Sequence, residues 1–130
     1  MGKARPQTVV LDAGALIAFE RGDGRIRALF REALKAQARL VVPAGVLGQV
    51  WRDGARQVPL RALLSGPTTV VPALDQALAE ASGALCGRAG TSDVIDASVV
   101  LTARRERAVV VTSDVNDMQR LDPTLLLHPI

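Results

Sequence analysis

The chain has 130 residues, a formal net charge of +3 and hydrophobic side chains at 48% of its positions. That length suits a single domain, 1–130, with a real core, yet no apolar run approaches the roughly 20 residues that a membrane span needs. Cys86 is the only cysteine, so no internal disulfide can form, and with only Phe19, Phe30 and Trp51 as aromatics an RNA platform built on aromatic stacking is excluded.

The start, Met1-Gly2-Lys3-Ala4-Arg5-Pro6, is basic, but the apolar run behind it is broken at once by Asp12, so no signal peptide is expected. Pro6 stands where a myristoylation motif has Ser or Thr. A reducing cytoplasm fits best. Thr8-Val9-Val10-Leu11 reads as the first strand. Residues 12–20 read as a short helix entered at Asp12, and Arg21-Gly22-Asp23-Gly24 breaks it. Ile26, Leu29, Phe30, Ala33 and Leu34 give 25–37 a helical period. Arg39 to Val42 is the second strand, ended by Pro43, and a helix follows through Val46, Leu47, Val50 and Trp51. Leu60, Leu63 and Leu64 mark a short helix stopped by Gly66-Pro67, before a third strand from Thr68 to Val71. Helices over 74–86, ending near Gly87 to Gly90, and over 93–106 precede a fourth strand at 108–112. A short helix begins near Asp114, and Leu125-Leu126-Leu127 closes the chain as a fifth strand. Strands alternating with helices predict an α/β fold. Fully apolar β-branched strands predict a parallel sheet buried on both faces.

The carboxylates stand where those apolar runs stop. Asp12 follows the first strand, Asp114 follows the fourth with Asp117 three residues on, and Asp93 and Asp96 open an apolar helix. Ligands of parallel sheets bind outside the carboxyl ends of the strands, so acids from three distant segments are expected to converge there. Asp12, Asp93 and Asp114 each also suit a helix N-cap. Asp96 is harder to explain that way, because a carboxylate inside Val94-Ile95-Asp96-Ala97-Ser98-Val99-Val100 is costly unless paired or metal-bound. Crowded carboxylates repel one another unless a cation sits between them, and an oxygen-only set suits Mg²⁺ or Mn²⁺. Other chemistries fail on named residues. The lone His128 lacks the partners of a catalytic triad, and no phosphate-binding glycine loop is present. Gly14 stands where haloacid-dehalogenase-like phosphatases have a second acid. The two lysines, Lys3 and Lys35, are not placed where a receiver domain needs one.

The ordered set Val10-Leu11-Asp12-Ala13-Gly14-Ala15-Leu16-Ile17, Val42-Pro43-Ala44, Asp96-Ala97 and Val111-Thr112-Ser113-Asp114 with Asp117 resembles a PIN domain, more narrowly the VapC toxins of bacterial toxin–antitoxin pairs. The likeness runs over essentially the whole chain. It implies a PIN-like three-layer α/β/α sandwich and a metal-dependent endoribonuclease. It also implies a homodimer and a cognate, VapB-like antitoxin. Asp12, Asp96 and Asp114 would be the catalytic acids and core metal ligands, with Asp93 and Asp117 completing the metal set. Gln49, Thr112 and Ser113 would support it. The chain departs from the family at Gln49, which stands where a glutamate is usual; either Asp93 restores that charge or the metal site is weaker, in which case a catalytically weak module that binds RNA or a protein partner is the alternative. With no histidine base, water acidified by the metal is the expected attacking group, leaving a 5′-phosphate and a 3′-hydroxyl. Arginine makes up all but two of the sixteen basic residues. Arg21, Arg25, Arg27, Arg31, Arg52 and Arg56 are the positions expected to meet RNA phosphates or antitoxin carboxylates, although a solvated face explains them equally. Leu29 and Phe30 fit either the core or a groove for an antitoxin helix.

Overall fold

The computed structural model describes residues 7–130, so the basic segment 1–6 lies outside the described residues. Among the described residues five strands form one sheet in the order β3-β2-β1-β4-β5. They are β1 (Thr8–Leu11), β2 (Arg39–Val41), β3 (Thr69–Val70), β4 (Val109–Thr112) and β5 (Leu127–Pro129). Every neighbouring pair is parallel. The helices are α1 (Ala13–Glu20), α2 (Gly24–Lys35), α3 (Ala44–Val50), α4 (Val58–Leu64), α5 (Gln76–Ala89), α6 (Val94–Glu106) and α7 (Val115–Leu121).

Right-handed crossovers explain the layers. Stepping from β1 to β2 to β3 puts α1 to α4 on one face, and stepping back from β3 to β4 to β5 puts α5 to α7 on the other. Packing agrees: α1 touches α2 and α4, whereas α6 touches α5 and α7. The result is a three-layer α/β/α sandwich. Val10, Leu11, Leu40, Val41, Val110 and Val111 are all 0–1% exposed, as strands covered on both faces require. β1 lies between β2 and β4, so the strand order reverses beside it and a crevice opens at the carboxyl ends of β1 and β4. No helix among the described residues is long and apolar enough to cross a membrane.

Several boundaries differ from the sequence expectation by a residue or two, among them α2, which stops at Lys35 rather than 37, and β2, which stops at Val41 rather than Val42. β5 begins at Leu127 rather than 125, because Asp122 folds the chain into a turn: its Oδ1 accepts from the Thr124 N–H at 2.9 Å and from the Thr124 hydroxyl at 2.6 Å. α5 begins at Gln76, two residues later than expected, because Asp75 caps it, and it ends at the C-cap Gly90, within the Gly87–Gly90 stretch where the sequence places its end. β3 is only two residues long, with Val71 40% exposed beyond it at the sheet edge.

A buried polar hub fixes the path from α3 to α4. Gln57 Oε1 accepts from the N–H groups of Arg52 at 2.7 Å and Asp53 at 3.0 Å. Its Nε2 donates to Val50 O at 2.9 Å and to both carboxylate oxygens of Glu20 at 3.1 Å. Gln57→Leu should cost about 3 kcal/mol of unfolding free energy, because each buried group left without a partner costs about 1–3 kcal/mol. Urea titration checks this, and a loss under about 1 kcal/mol would mean that water replaces the amide.

Candidate active site

Asp12 lies one residue past β1, with its N–H donating to Val111 O at 3.2 Å, so it stands level with the end of β4. It is 3% exposed. Its Oδ1 accepts from the Ala15 N–H at 2.9 Å and thereby caps α1. Burial raises its pKa above the ordinary 3.8 and the Asp114 charge adds to this, while the Thr112 hydroxyl and the Ala15 and Ser113 N–H groups oppose it.

Gly14 lets the other half of the site come close. A Cβ there would fall on the Ser113 hydroxyl and lie 2.9 Å from Ser113 Cβ. The absence of that carbon seats the β4–α7 connection directly on the first turn of α1. Thr112 completes the junction, since its Oγ1 accepts from the Asp114 N–H at 2.8 Å. Asp114 occupies the N-cap position of α7, yet its carboxylate makes no capping hydrogen bond. It is exposed, as is Asp117 one turn on, and both line an open recess of about 320 Å³ with Ser113 and Asn116.

Asp96 enters from α6. It is half-buried, and its pKa is pushed up to about 7, first by burial and then by the charges of Asp93, Asp114 and Asp117. Acids from β4–α7 and from α6 therefore lie within electrostatic reach of each other, as the sequence pattern implied. Asp93 does two things: its Oδ1 caps α6 by accepting from the Asp96 N–H at 2.9 Å, and its charge bears on the Asp96 carboxyl. Behind them the buried Cys86 thiol is held above its ordinary pKa, by burial and then by Asp93 and Asp96, which makes it unreactive.

Gln49 is exposed on α3. One turn earlier on the same helix face, a Cβ at Gly45 would lie 2.5 Å from the Ile95 Cδ1, so this face of α3 packs on the residue beside Asp96. No hydrogen bond joins Gln49 to an acid among the described residues.

Carboxylates whose charges add to burial in pushing the Asp96 pKa up to about 7, with oxygen as their only donor atom, fit a hard divalent cation in charge and donor type. They do not form a ready-made cage: among the described residues no three His, Cys, Asp or Glu side chains stand close enough together to hold an ion as they are. Mg²⁺ tolerates such a site, because it keeps several waters and takes only one or two carboxylates directly.

The expected arginines divide between surfaces. Arg21 opens onto a cleft that begins at Gly14 and Ser113 beside the acids, and Arg25 onto a second cleft that shares Asp23 and Ile130 with the first. Arg27 and Arg31 line the other side of α2, with the Arg27 guanidinium 4.9 Å from the Phe19 ring centroid. There they meet Phe30, Leu34 and Leu63 in a groove of about 410 Å³ between α2 and α4. Phe30 is buried at 3% exposure and is mainly core, while Leu29 is half-buried. Arg52 donates to Gly48 O at 3.3 Å and Trp51 O at 2.7 Å, and Arg56 lies 3.7 Å from Asp53. His128 is exposed on β5, away from the acids. Sequence reasoning missed the Gln57 hub and the Gly14–Ser113 junction; a glycine two residues after a strand-end acid was the only visible signal of the second.

The PIN domain model matches residues 9–122. The chain belongs to the PIN domain family. No curated protein matches it in sequence. Among solved structures it is similar to a chain of VapBC2 from Rickettsia felis bound to a DNA fragment from the promoter, with a TM-score of 0.72 and 17% identity over 95% of this chain and 99% of that one. It is also similar to a chain of FitAB bound to the IR36 DNA fragment, with a TM-score of 0.63 and 13% identity over 93% and 94% of the two chains. FitAcB from Neisseria gonorrhoeae gives a TM-score of 0.60 and 16% identity over 92% and 95%.

Proposed function

We propose that the protein is a metal-dependent endoribonuclease acting as the toxin of a toxin–antitoxin pair. The observation that carries this reading is the crowding of carboxylates around Asp96 at the carboxyl edge of the sheet. Asp12, Asp96 and Asp114 would hold Mg²⁺ or Mn²⁺, with Asp93 and Asp117 adding charge and Gln49 a neutral oxygen. The bound ion would supply positive charge for the attacking water and the scissile phosphate. Asp12 is oriented for this by Ala15, Thr112 and the Ser113 N–H, and Asp114 by Thr112.

The similarity to chains of the VapBC2 and FitAB assemblies supports an antitoxin partner. The groove between α2 and α4 suits an amphipathic helix of that partner, with Arg27 and Arg31 available to its acidic residues. A homodimer and a cytoplasmic setting belong to the same reading. Gln49 favours a second one, a PIN module that binds RNA or a protein without cutting. Expression of the wild type without its neighbour gene should arrest growth, and Asp12→Ala should not. A harmless wild type favours the second reading.

Gln49 and Asp93 can be weighed separately. Asn caps a helix as well as Asp, so Asp93→Asn removes charge and keeps α6 intact. It should weaken Mg²⁺ binding and cleavage about tenfold or more, since one pKa unit of lost interaction is a factor of ten. Gln49→Glu should restore part of that loss by returning a full Coulomb interaction with the ion. Isothermal titration with Mg²⁺ reads both effects. An unchanged Asp93→Asn would reduce Asp93 to a helix cap.

A further inference from the structure

We propose that two adjoining clefts, the first of them beginning beside the acids, form a two-nucleotide track for single-stranded RNA, with Arg21 and Arg25 on its phosphates and the second carboxylate oxygen of Asp23 reading a base edge. The track rests on the ribonuclease reading above.

The first cleft, of about 410 Å³, begins at Gly14 and Ser113, the junction that brings Asp12 and Asp114 together, and extends past Ile17 and Arg21 to Asp23. The second, of about 220 Å³, shares Asp23 and Ile130 with the first and continues to Arg25. A strand leaving the acids thus meets Arg21, then Asp23, then Arg25. The first volume falls within the ~300–1,000 Å³ of small-molecule sites. Its apolar walls are exposed, Ile17 at 38% and Ile130 at 42%. Ile130 is fixed there by its N–H, which donates to Thr112 O at 3.0 Å. These aliphatic faces, with the His128 imidazole that lines the second cleft, give unstacked bases a surface to lie on.

Charge is distributed to match. Among the described residues neither Arg21 nor Arg25 has a carboxylate within salt-bridge distance, so both are available to phosphates. Gly22, at φ +78°, makes the tight turn that sets Arg21 and Asp23 on one cleft. Asp23 Oδ1 is engaged, accepting from the N–H groups of Arg25 at 2.9 Å and Ile26 at 3.2 Å. Oδ2 has no partner among the described residues. A carboxylate in a phosphate track repels the backbone, but it accepts well from the exocyclic amino groups of guanine, cytosine and adenine, which uracil lacks.

Single-cut oligoribonucleotides randomised at the positions flanking the scissile bond test this, with product sequencing for preference and fluorescence anisotropy in EDTA for binding. Wild type should favour amino-bearing bases over uridine at one flanking position by about tenfold, the discrimination of one good polar contact. Asp23→Asn retains the α2 cap and should flatten that preference without moving the thermal midpoint. Arg21→Gln should raise KM about tenfold, lower the salt slope by about one, and leave the base preference alone. Cleavage by wild type with no preference at any flanking position, or with a preference that Asp23→Asn leaves unchanged, overturns the track while the ribonuclease reading stands. A wild type that neither binds nor cuts RNA overturns both.

Discussion

Asp96→Asn should lower metal-dependent RNA cleavage by about a thousandfold or more while the fold survives. A bound metal supplies several kcal/mol of charge stabilisation in the transition state, and each 1.36 kcal/mol is a factor of ten in rate. The substitution also removes one of several like charges, so metal-free Asp96→Asn should be more stable than wild type. The pH at which this appears follows from the raised pKa. Between the ordinary 3.8 and about 7, the folded protein holds a proton on Asp96 that the unfolded chain has released. Wild type therefore loses stability as pH rises through that window, and the loss is complete above it. Thermal midpoints of the two proteins in EDTA should agree near pH 4 and diverge by pH 8, with the variant higher. Wild-type cleavage should rise with pH as Asp96 ionises, and more Mg²⁺ should move that rise to lower pH. Full metal-dependent activity in Asp96→Asn would remove it from the site.

Gly14→Ala should cost about a hundredfold in cleavage with a much smaller loss of stability. The new Cβ meets the Ser113 hydroxyl and the Ser113 Cβ at 2.9 Å, and the second of these cannot rotate away. The β4–α7 connection must then move off α1, taking Asp114 away from Asp12, and a displacement of about 1 Å in a catalytic group is enough for such a loss. Gly83→Ala is the control. Among the described residues nothing lies within 4 Å of where its Cβ would stand, so it should keep activity and gain up to about 1 kcal/mol of helix stability. Wild-type rates from Gly14→Ala would show that the junction is loose.

The parts of this fold legible in sequence are those where burial leaves no choice. β1 and β4 are apolar on both faces, so their runs end where their strands end, and the acids behind them mark the sheet's carboxyl edge. Asp96 was legible because a carboxylate among Val94, Ile95, Ala97 and Val99 has no ordinary reason to be there. What stayed hidden depends on contacts between distant segments. The Leu125–Leu127 run looked like a strand, but the Asp122 turn sets its start. Gln57 carries no sequence signal, since its partners Glu20, Val50, Arg52 and Asp53 are chosen by packing. Arg21 to Arg31 read as one basic patch, yet the turn of α2 sends Arg25 and Arg27 to different clefts. For Asp93, capping and charge were alternatives in sequence, and in the folded protein one side chain provides both.

Cleavage of single-stranded RNA by the purified protein, with Mg²⁺ and then with excess EDTA, tests the central claim most directly. Cutting in Mg²⁺ that leaves 5′-phosphate and 3′-hydroxyl ends, stops in EDTA, returns when Mg²⁺ is restored, and is missing from Asp12→Ala is the predicted result. Cutting that persists in EDTA, or Mg²⁺-dependent RNA binding with no cleavage at all, would contradict it.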